Sequence, residues 1–411
     1  MTSRLNFRFA DDTDGGSTSA NLDVAGVDST SNAAQLPGPS RRTQSSTTIE
    51  EMTPPEVILD RIVRNELRHE DGCSCYSGKL DIDRIEPESL RFFLHLVQST
   101  MNEALRLEGV NASAGVEHPP FHFDYLEVTD GTANAHAFQY ENFSFIVVTF
   151  PMIELLWHSS HALSRSPLIA NPLRLNPEVN LDALHGFLFQ IQLDFLIAHE
   201  YTHHIHRHCV GSGNEVTHIW TELRRDNASG DINCQARELD ADSYAAYIVL
   251  SHVLRGERRN SALADLRAAA LPDIEADELL LTCYFLALLV FFCVLWRGPA
   301  DAASIYRLTH PPAPVRIKYA IQVAEMWCGQ NGSVPSSWFG PARFQELFRA
   351  AAQLIGVPIR QTWDAQMAFL RSPEGTRYDE QLFQAFEMLR HTHHGPTKKD
   401  AESRVASATD D

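Results

Sequence analysis

The residues of this 411-residue chain that could do chemistry lie closest together in the segment HEYTH at 199–203. On a helix, positions i and i+4 share one face, so the imidazoles of His199 and His203 can reach one metal ion. Glu200 follows the first histidine and is placed beside a water molecule on that ion. Catalytic zinc takes three protein ligands and keeps a fourth position open. The segment therefore predicts a zinc site whose third ligand comes from another part of the chain.

The same segment does not supply the third ligand. A pattern HExxHxxGxxH would need Gly at 206 and His at 209, where this chain has His and Cys. Downstream, ELDAD at 238–242 stands in a helical pattern whose small alanines allow close packing against the first helix. Glu238 is the predicted third ligand, with Asp240 and Asp242 as the alternatives. If Glu238 binds the metal, Asp242 lies one turn later and can accept the outer N–H of a ligating histidine.

These motifs and their order resemble a known group, the gluzincin metallopeptidases of the HtpX-like and CAAX-prenyl-protease-like kind, in which HExxH is followed by ExxxD on a second helix. Two more segments carry the resemblance. NAHAF at 134–138, followed by FSFIVVTF, is similar to the family's edge strand and the strand after it, and HPPAPVRI at 310–317 is similar to its HPPxxxRI element. The resemblance implies an α+β, mainly helical zincin-like metallopeptidase domain with a small mixed sheet and a helical C-terminal part.

The resemblance also implies an activity and a cofactor. The chain would be a zinc-dependent metalloendopeptidase that binds one zinc ion through His199, His203 and Glu238. Zinc in such a site acidifies a bound water and polarises the scissile carbonyl. Glu200 would take the proton of this water as general base and pass it to the leaving amine. The implied partner is a polypeptide substrate, whose identity the sequence does not define.

Five further positions take roles from the resemblance. His310 would act in catalysis by stabilising the oxyanion, with Arg316 and Tyr244 as additional candidates for that contact. For Arg316, the alternative is a structural ion pair. An extended substrate would add to the edge strand near Ala135 and Phe138 through backbone hydrogen bonds.

Three more histidines follow the predicted ligands closely. Five of the 19 histidines of the chain fall between 199 and 208. Because cations are favoured at the C-terminus of a helix, His204, His206 and His208 are predicted to be solvated residues at the helix end. The predicted metal site therefore uses only two of the five.

Periodicity and turn residues predict mostly helices around one small sheet. The clearest strand is FSFIVVTF, and the long helix that carries HExxH is predicted to start at Asn180 as its N-cap and to run to Gly211. Predicted helices cover residues 54–69, 87–107, 151–163, 181–211, 234–254, 275–296, 313–328, 341–355, 363–370 and 379–389. Predicted strands cover residues 121–128 and 135–149.

One apolar segment leaves two interpretations open. Leu279–Trp296 is 18 residues long and carries no charge, which meets the minimum for a transmembrane helix. A single crossing would put Glu238 and His310 on opposite sides of a bilayer, although the resemblance places both at one zinc site. Only one arginine directly follows the segment, which gives little orientation signal. We favour a buried central helix over a membrane anchor.

Composition bounds the remaining possibilities. With 34 Lys+Arg against 53 Asp+Glu, the net charge of −19 argues against nucleic acid as a partner. Seven cysteines without a CxxC pair indicate a reducing compartment, and the N-terminus does not resemble a secretory signal, so we expect a cytoplasmic protein. Residues 1–53 and 391–411 are rich in polar residues and predict disordered tails around one domain at 54–390. The oligomeric state cannot be predicted.

A competing interpretation is a zincin-like scaffold that binds a partner and cleaves nothing. The intact Glu200 argues against it, because a purely structural zinc site has no need of that carboxylate.

Overall fold

Helices make up most of the fold, which was obtained as a computed structural model that describes residues 53–65, 76–111, 120–129, 131–140, 143–173, 179–208, 220–221, 231–295, 304–355 and 357–394. In chain order the helices are α1 Pro55–Asn65, α2 Glu88–Asn111, α3 Phe150–Ser164, α4 Ala170–Leu173, α5 Leu181–Ile205, α6 Ile232–Leu254, α7 Gly256–Asp265, α8 Asp273–Leu295, α9 Ala313–Asn331, α10 Pro341–Ile355, α11 Val357–Leu370 and α12 Pro373–His394. The strands are β1 Tyr76–Lys79, β2 Phe121–Val128, β3 Ala135–Tyr140, β4 Phe143–Thr149 and β5 Trp220–Thr221. The predicted α+β, mainly helical class with a helical C-terminal part is confirmed.

The strands form one mixed sheet in the order β1-β2-β4-β3-β5. Strands β2 and β4 are parallel, and the other neighbours are antiparallel. All seven residues of β4 are buried, because both faces of this central strand are covered. A strand covered on both faces has a continuous apolar sequence, which is why FSFIVVTF was the clearest strand in the chain.

The outer edge of β3 corrects one prediction. His136 pairs with Thr221 and Ala137 pairs with Trp220, so the short strand β5 occupies two residues of the edge to which a substrate was expected to add. An exposed edge presents unpaired N–H and C=O groups, and these pair with any strand within reach. Strand β5 follows α5 in the chain and meets that need. The edge near Ala135 and Phe138 is therefore not open along its length.

Helix α5 runs through the centre of the fold. Its first turn is capped as predicted, because the side chain of Asn180 accepts hydrogen bonds from the backbone N–H groups of Asp182 and Ala183 at 3.1 and 3.2 Å. Residues from Ile191 to His204 are buried without interruption, since α3, α6, α8 and strand β3 all pack against this helix. A helix that is enclosed on every side holds its side chains in fixed positions, which a metal site requires.

Helix α8 is the apolar segment whose location was in question. Helices α5, α6, α9 and α10 pack around it. Of its most apolar stretch of 18 residues, 83% is buried inside the protein. The amide of Gln192 on α5 donates to the carbonyl of Ala287 at 3.0 Å, and the hydroxyl of Tyr284 donates to the carbonyl of Ala246 at 3.2 Å. By length and composition alone, α5 and α8 could each cross a membrane. Enclosure by neighbouring helices is the packing of a core helix.

The predicted elements agree with the structure apart from a few short ones and some ends. Strands β1 and β5 and helices α4 and α7 were not predicted, and the predicted strand at 135–149 is split into the hairpin strands β3 and β4. Helix α12 continues to His394, past the predicted start of the C-terminal tail at residue 391. The rest of that tail and residues 1–52 lie outside the described residues.

The packing of α8 predicts the effect of a core truncation. Phe285 is fully buried, with its ring centroid 5.0 Å from that of Phe344 and 6.0 Å from that of Trp338. We expect Phe285→Ala to lower the free energy of unfolding by about 3–5 kcal/mol, measured by urea denaturation without detergent. The control is Phe92→Ala, because Phe92 is 68% exposed. It should change this free energy by less than about 0.5 kcal/mol. Equal effects of the two substitutions would contradict the buried position of α8.

Candidate metal centre

Three side chains converge between α5 and α6. The Nε2 atoms of His199 and His203 lie 3.0 Å apart. The carboxylate of Glu238 lies 3.2 Å from Nε2 of His199 and 3.7 Å from Nε2 of His203. All three residues are buried. The structure thus brings together the two histidines of HExxH and the first carboxylate of ELDAD, as the ligand prediction requires.

The spacing of these atoms fits a metal ion. Tetrahedral zinc with bonds of about 2.0–2.1 Å holds its ligand atoms roughly 3.3 Å apart, close to the separations found here. The proton positions fit as well. Nδ1 of His199 lies 3.0 Å from Oδ1 of Asp242, and a carboxylate only accepts, so Nδ1 carries the proton and Nε2 keeps its lone pair. Two imidazoles and a carboxylate are a ligand set that zinc prefers.

Helix α6 is built to lie close to α5. Asp231 caps its N-terminus by accepting hydrogen bonds from the backbone N–H groups of Asn233 and Cys234, both at 2.8 Å. Ala236, Ala241, Ala245 and Ala246 are fully buried along this helix. Small side chains let two backbones approach, and this is why carboxylates on α6 can reach histidines on α5.

A buried ion pair holds the outer side of His199. Arg316 on α9 donates from Nε to Oδ2 of Asp242 at 2.6 Å and from Nη2 to Oδ1 at 2.7 Å. Its guanidinium carbon lies 4.5 Å from the ring centroid of Phe292. Since Arg316 is buried and bonded to Asp242 at two points, the structure favours the ion-pair alternative over a contact with the oxyanion. It orients Asp242, which in turn orients His199.

His310 lies beside the same carboxylate. Its Nε2 is 3.1 Å from Oε2 of Glu238, and its Nδ1 is 2.8 Å from the hydroxyl of Thr309. Burial alone would raise the pKa of Glu238, but the neighbouring imidazoles of His310, His203 and His199 hold this pKa well below its ordinary value. This direction favours the carboxylate form, which is the form that binds a cation.

The segment that leads to His310 is held by a residue that sequence reasoning missed. The amide of Gln235 on α6 donates to the carbonyls of Ile305 and Leu308 at 2.7 and 3.0 Å, and its oxygen accepts from the hydroxyl of Tyr378 at 2.5 Å. All three bonds join parts of the chain that are 70 or more residues apart. A glutamine three positions before Glu238 carries no sequence signal of this role.

The prediction that the three remaining histidines are solvated is wrong. His204 is fully buried and donates from Nε2 to the carbonyl of Phe145 on β4 at 2.8 Å. His208 is also buried, and His206 is largely covered. Both contact Asp240, at 3.3 and 2.5 Å respectively. Sequence alone shows only that these residues follow the helix; the partners that cover them come from distant segments.

The other predicted positions are placed as follows. Glu200 is buried on α5 next to His199. The ring of Tyr244 packs 5.0 Å from that of His206. Phe138 stacks on Phe145 in the hydrophobic core, so its side chain is not available to a substrate. Ala135 pairs with Val148 of β4.

The fold and the site define a class. An HExxH helix packed against a second helix that contributes a carboxylate, with a small mixed sheet on one side, is the arrangement of a gluzincin metallopeptidase. Residues 97–323, more than half of the chain, match the family model of Peptidase family M48, and the chain belongs to that family. It is a metal-dependent hydrolase that acts on peptide bonds. The chain matches no curated protein and no solved structure.

The buried ion pair behind His199 gives a prediction about stability. Arg316→Ala leaves Asp242 charged and buried without its cation, so we expect a loss of about 3–5 kcal/mol in the free energy of unfolding. The measurement is urea denaturation of protein treated with a chelator, so that metal binding does not contribute. The matched control is Arg84→Ala, which breaks an exposed ion pair with Asp81 and should cost less than about 1 kcal/mol. A loss no greater than that of the control would exclude a structural role for the pair.

Proposed function

We propose that the protein is a zinc metalloendopeptidase whose ion is held by His199, His203 and Glu238. The observation that carries the proposal is the convergence of two imidazole Nε2 atoms and an ionised carboxylate within 4.8 Å of one another, next to Glu200. Zinc bound there would supply a Lewis acid that activates a water and polarises the scissile carbonyl. Cleavage at internal peptide bonds follows the family resemblance.

The residues of the chain supply the proton transfers. Glu200 accepts a proton from the attacking water and delivers it to the nitrogen of the scissile bond. The nitrogen then leaves as a neutral amine and not as an amide anion, which is a poor leaving group. Its burial excludes bulk water and strengthens its interactions with charges that develop in the transition state. His310, held by Thr309 beside Glu238, is the proposed donor to the oxyanion.

The role of Glu200 can be separated from metal binding. Glu200→Gln keeps the shape of the side chain but cannot take a proton, so metal content should stay at wild-type level while the turnover rate falls by roughly 10²–10⁴-fold. Glu238→Ala should instead lose most of the bound metal. Metal analysis of both purified variants, with proteomic identification of cleaved termini in cells that express wild type or Glu200→Gln, measures both effects. Undiminished cleavage by Glu200→Gln would rule out this mechanism.

We further propose that the protein acts in the cytoplasm. Its substrate is a neutral or basic polypeptide, because the net charge of −19 attracts such a chain more readily than an acidic one. The alternative is a membrane-associated protease of the same chemistry, anchored through residues 279–296. Its support is that, within the described residues, α5 and α8 are long and apolar enough to cross a bilayer.

Fractionation without detergent distinguishes the two locations. Because α8 is enclosed by other helices, we expect the protein to stay in the supernatant after high-speed centrifugation of lysed cells. Lysis at high salt should not change the fraction of the protein that is found there. Recovery in the membrane pellet after both high-salt and alkaline washes would establish the anchored alternative.

A further inference from the structure

Helix α5 ends in a turn that folds His208 back against His203. The backbone N–H of His208 donates to the carbonyl of His203 at 2.8 Å, and that of Arg207 donates to the carbonyl of His204 at 2.9 Å. Arg207 lies between them in the left-handed region at φ 58°. This pair of bonds is a Schellman motif, in which the residue after the left-handed position contacts the side chain five residues earlier. Here the contact joins two imidazoles, with Nδ1 of His208 3.0 Å from Nδ1 of His203.

Asp240 determines which of the two rings donates in the contact between His203 and His208. Nε2 of His208 lies 3.3 Å from Oδ2 of Asp240 without the alignment of a hydrogen bond, and the negative charge of that carboxylate favours a proton on Nε2 of His208 over one on Nδ1. A neutral His208 then has its lone pair on Nδ1 and must accept from His203. His203 therefore carries its proton on Nδ1 and keeps the lone pair of Nε2 for the metal. His206 donates from Nδ1 to the same oxygen of Asp240 at 2.5 Å and holds the carboxylate in place.

The same three residues could instead form a second metal site, since a ligand atom from each of His206, His208 and Asp240 lies within 4.8 Å of the others. Two observations argue against this. The 2.5 Å between His206 and Asp240 is a hydrogen-bond distance, whereas ligands of one tetrahedral zinc ion lie roughly 3.3 Å apart. A metal on Nε2 of His208 would also move its proton to Nδ1, where it would compete with the proton of His203.

We propose that His208 is a positioning residue that fixes the ring and tautomer of the metal ligand His203, and that Asp240 and His206 hold it for this task. His199 has its own orienting carboxylate in Asp242, so the two ligating histidines are oriented by separate groups. The proposal rests on the proposed zinc site, because it assigns a purpose to the lone pair of His203. It also accounts for two of the three histidines that the ligand set leaves unused.

The test compares two substitutions at one position. Asn at 208 places its side-chain oxygen near the position of Nδ1 and can still accept from His203, whereas Leu has a similar volume and no acceptor. Loss of such an outer hydrogen bond weakens metal binding by about 10–100-fold, and we expect this of His208→Leu in a zinc-chelator competition. His208→Asn should keep most of the affinity. Arg207→Gly is the control, because glycine keeps the left-handed turn and removes only an exposed side chain.

The outcomes separate this proposal from the zinc site itself. If the wild type binds no zinc, or Glu238→Ala binds it as well as wild type, the proposed function fails. If both of these behave as expected but His208→Leu binds zinc as tightly as His208→Asn, the positioning role is wrong. Two zinc ions per wild-type chain, reduced to one by His206→Ala, would show a second metal site instead.

A second measurement does not depend on whether the His208→Leu variant folds. In zinc-loaded protein with ¹⁵N-labelled histidine, ring nitrogen shifts distinguish the two tautomers, and the His208 signals are assigned by their absence in His208→Asn. We expect a proton on Nε2 of His208 and on Nδ1 of His203. A proton on Nδ1 of His208 would overturn the proposal.

Discussion

A metal centre made of imidazoles depends on where the ring protons are. Each ligating ring must give up the proton on the nitrogen that faces the ion, so an acceptor has to hold the other proton on the far side. In this protein Asp242 does this for His199, and His208 has the geometry to do it for His203. Both acceptors are buried, and the groups that hold them, Arg316 and Asp240, are buried in turn.

Helix α6 meets this requirement with three carboxylates in five residues. Glu238 and Asp242 are one turn apart and share a face, so one reaches the ligand nitrogens and the other reaches the outer side of His199. Asp240 points away from that face, toward His206 and His208. Burial would raise the pKa of Asp240, but hydrogen bonds from the two histidines hold it well below its ordinary value. The three acidic residues thus lie at three different places: Glu238 at the ligand nitrogens, Asp242 at the outer side of His199 and Asp240 between His206 and His208.

The sequence could predict what depends on local spacing. The long helices, the N-cap of α5 and the face shared by the HExxH histidines all follow from periods of 3.6 residues and from local capping. It could not predict contacts that join distant segments, such as Gln235 to the segment before His310, or β5 to β3. It misjudged His204 and His208 because helix-end residues are usually solvated, and their burial comes from β4 and α6.

The hydrogen bond from Tyr378 to Gln235 ties the C-terminal helices to the region that matches the family model. Tyr378 lies on α12, beyond the residues that match the family model, yet its hydroxyl bonds a buried amide on the helix that bears Glu238. Helix α12 also packs along α6. Removal of the C-terminal helices would therefore uncover the part of α6 against which α12 packs and would leave the Gln235 oxygen without that donor.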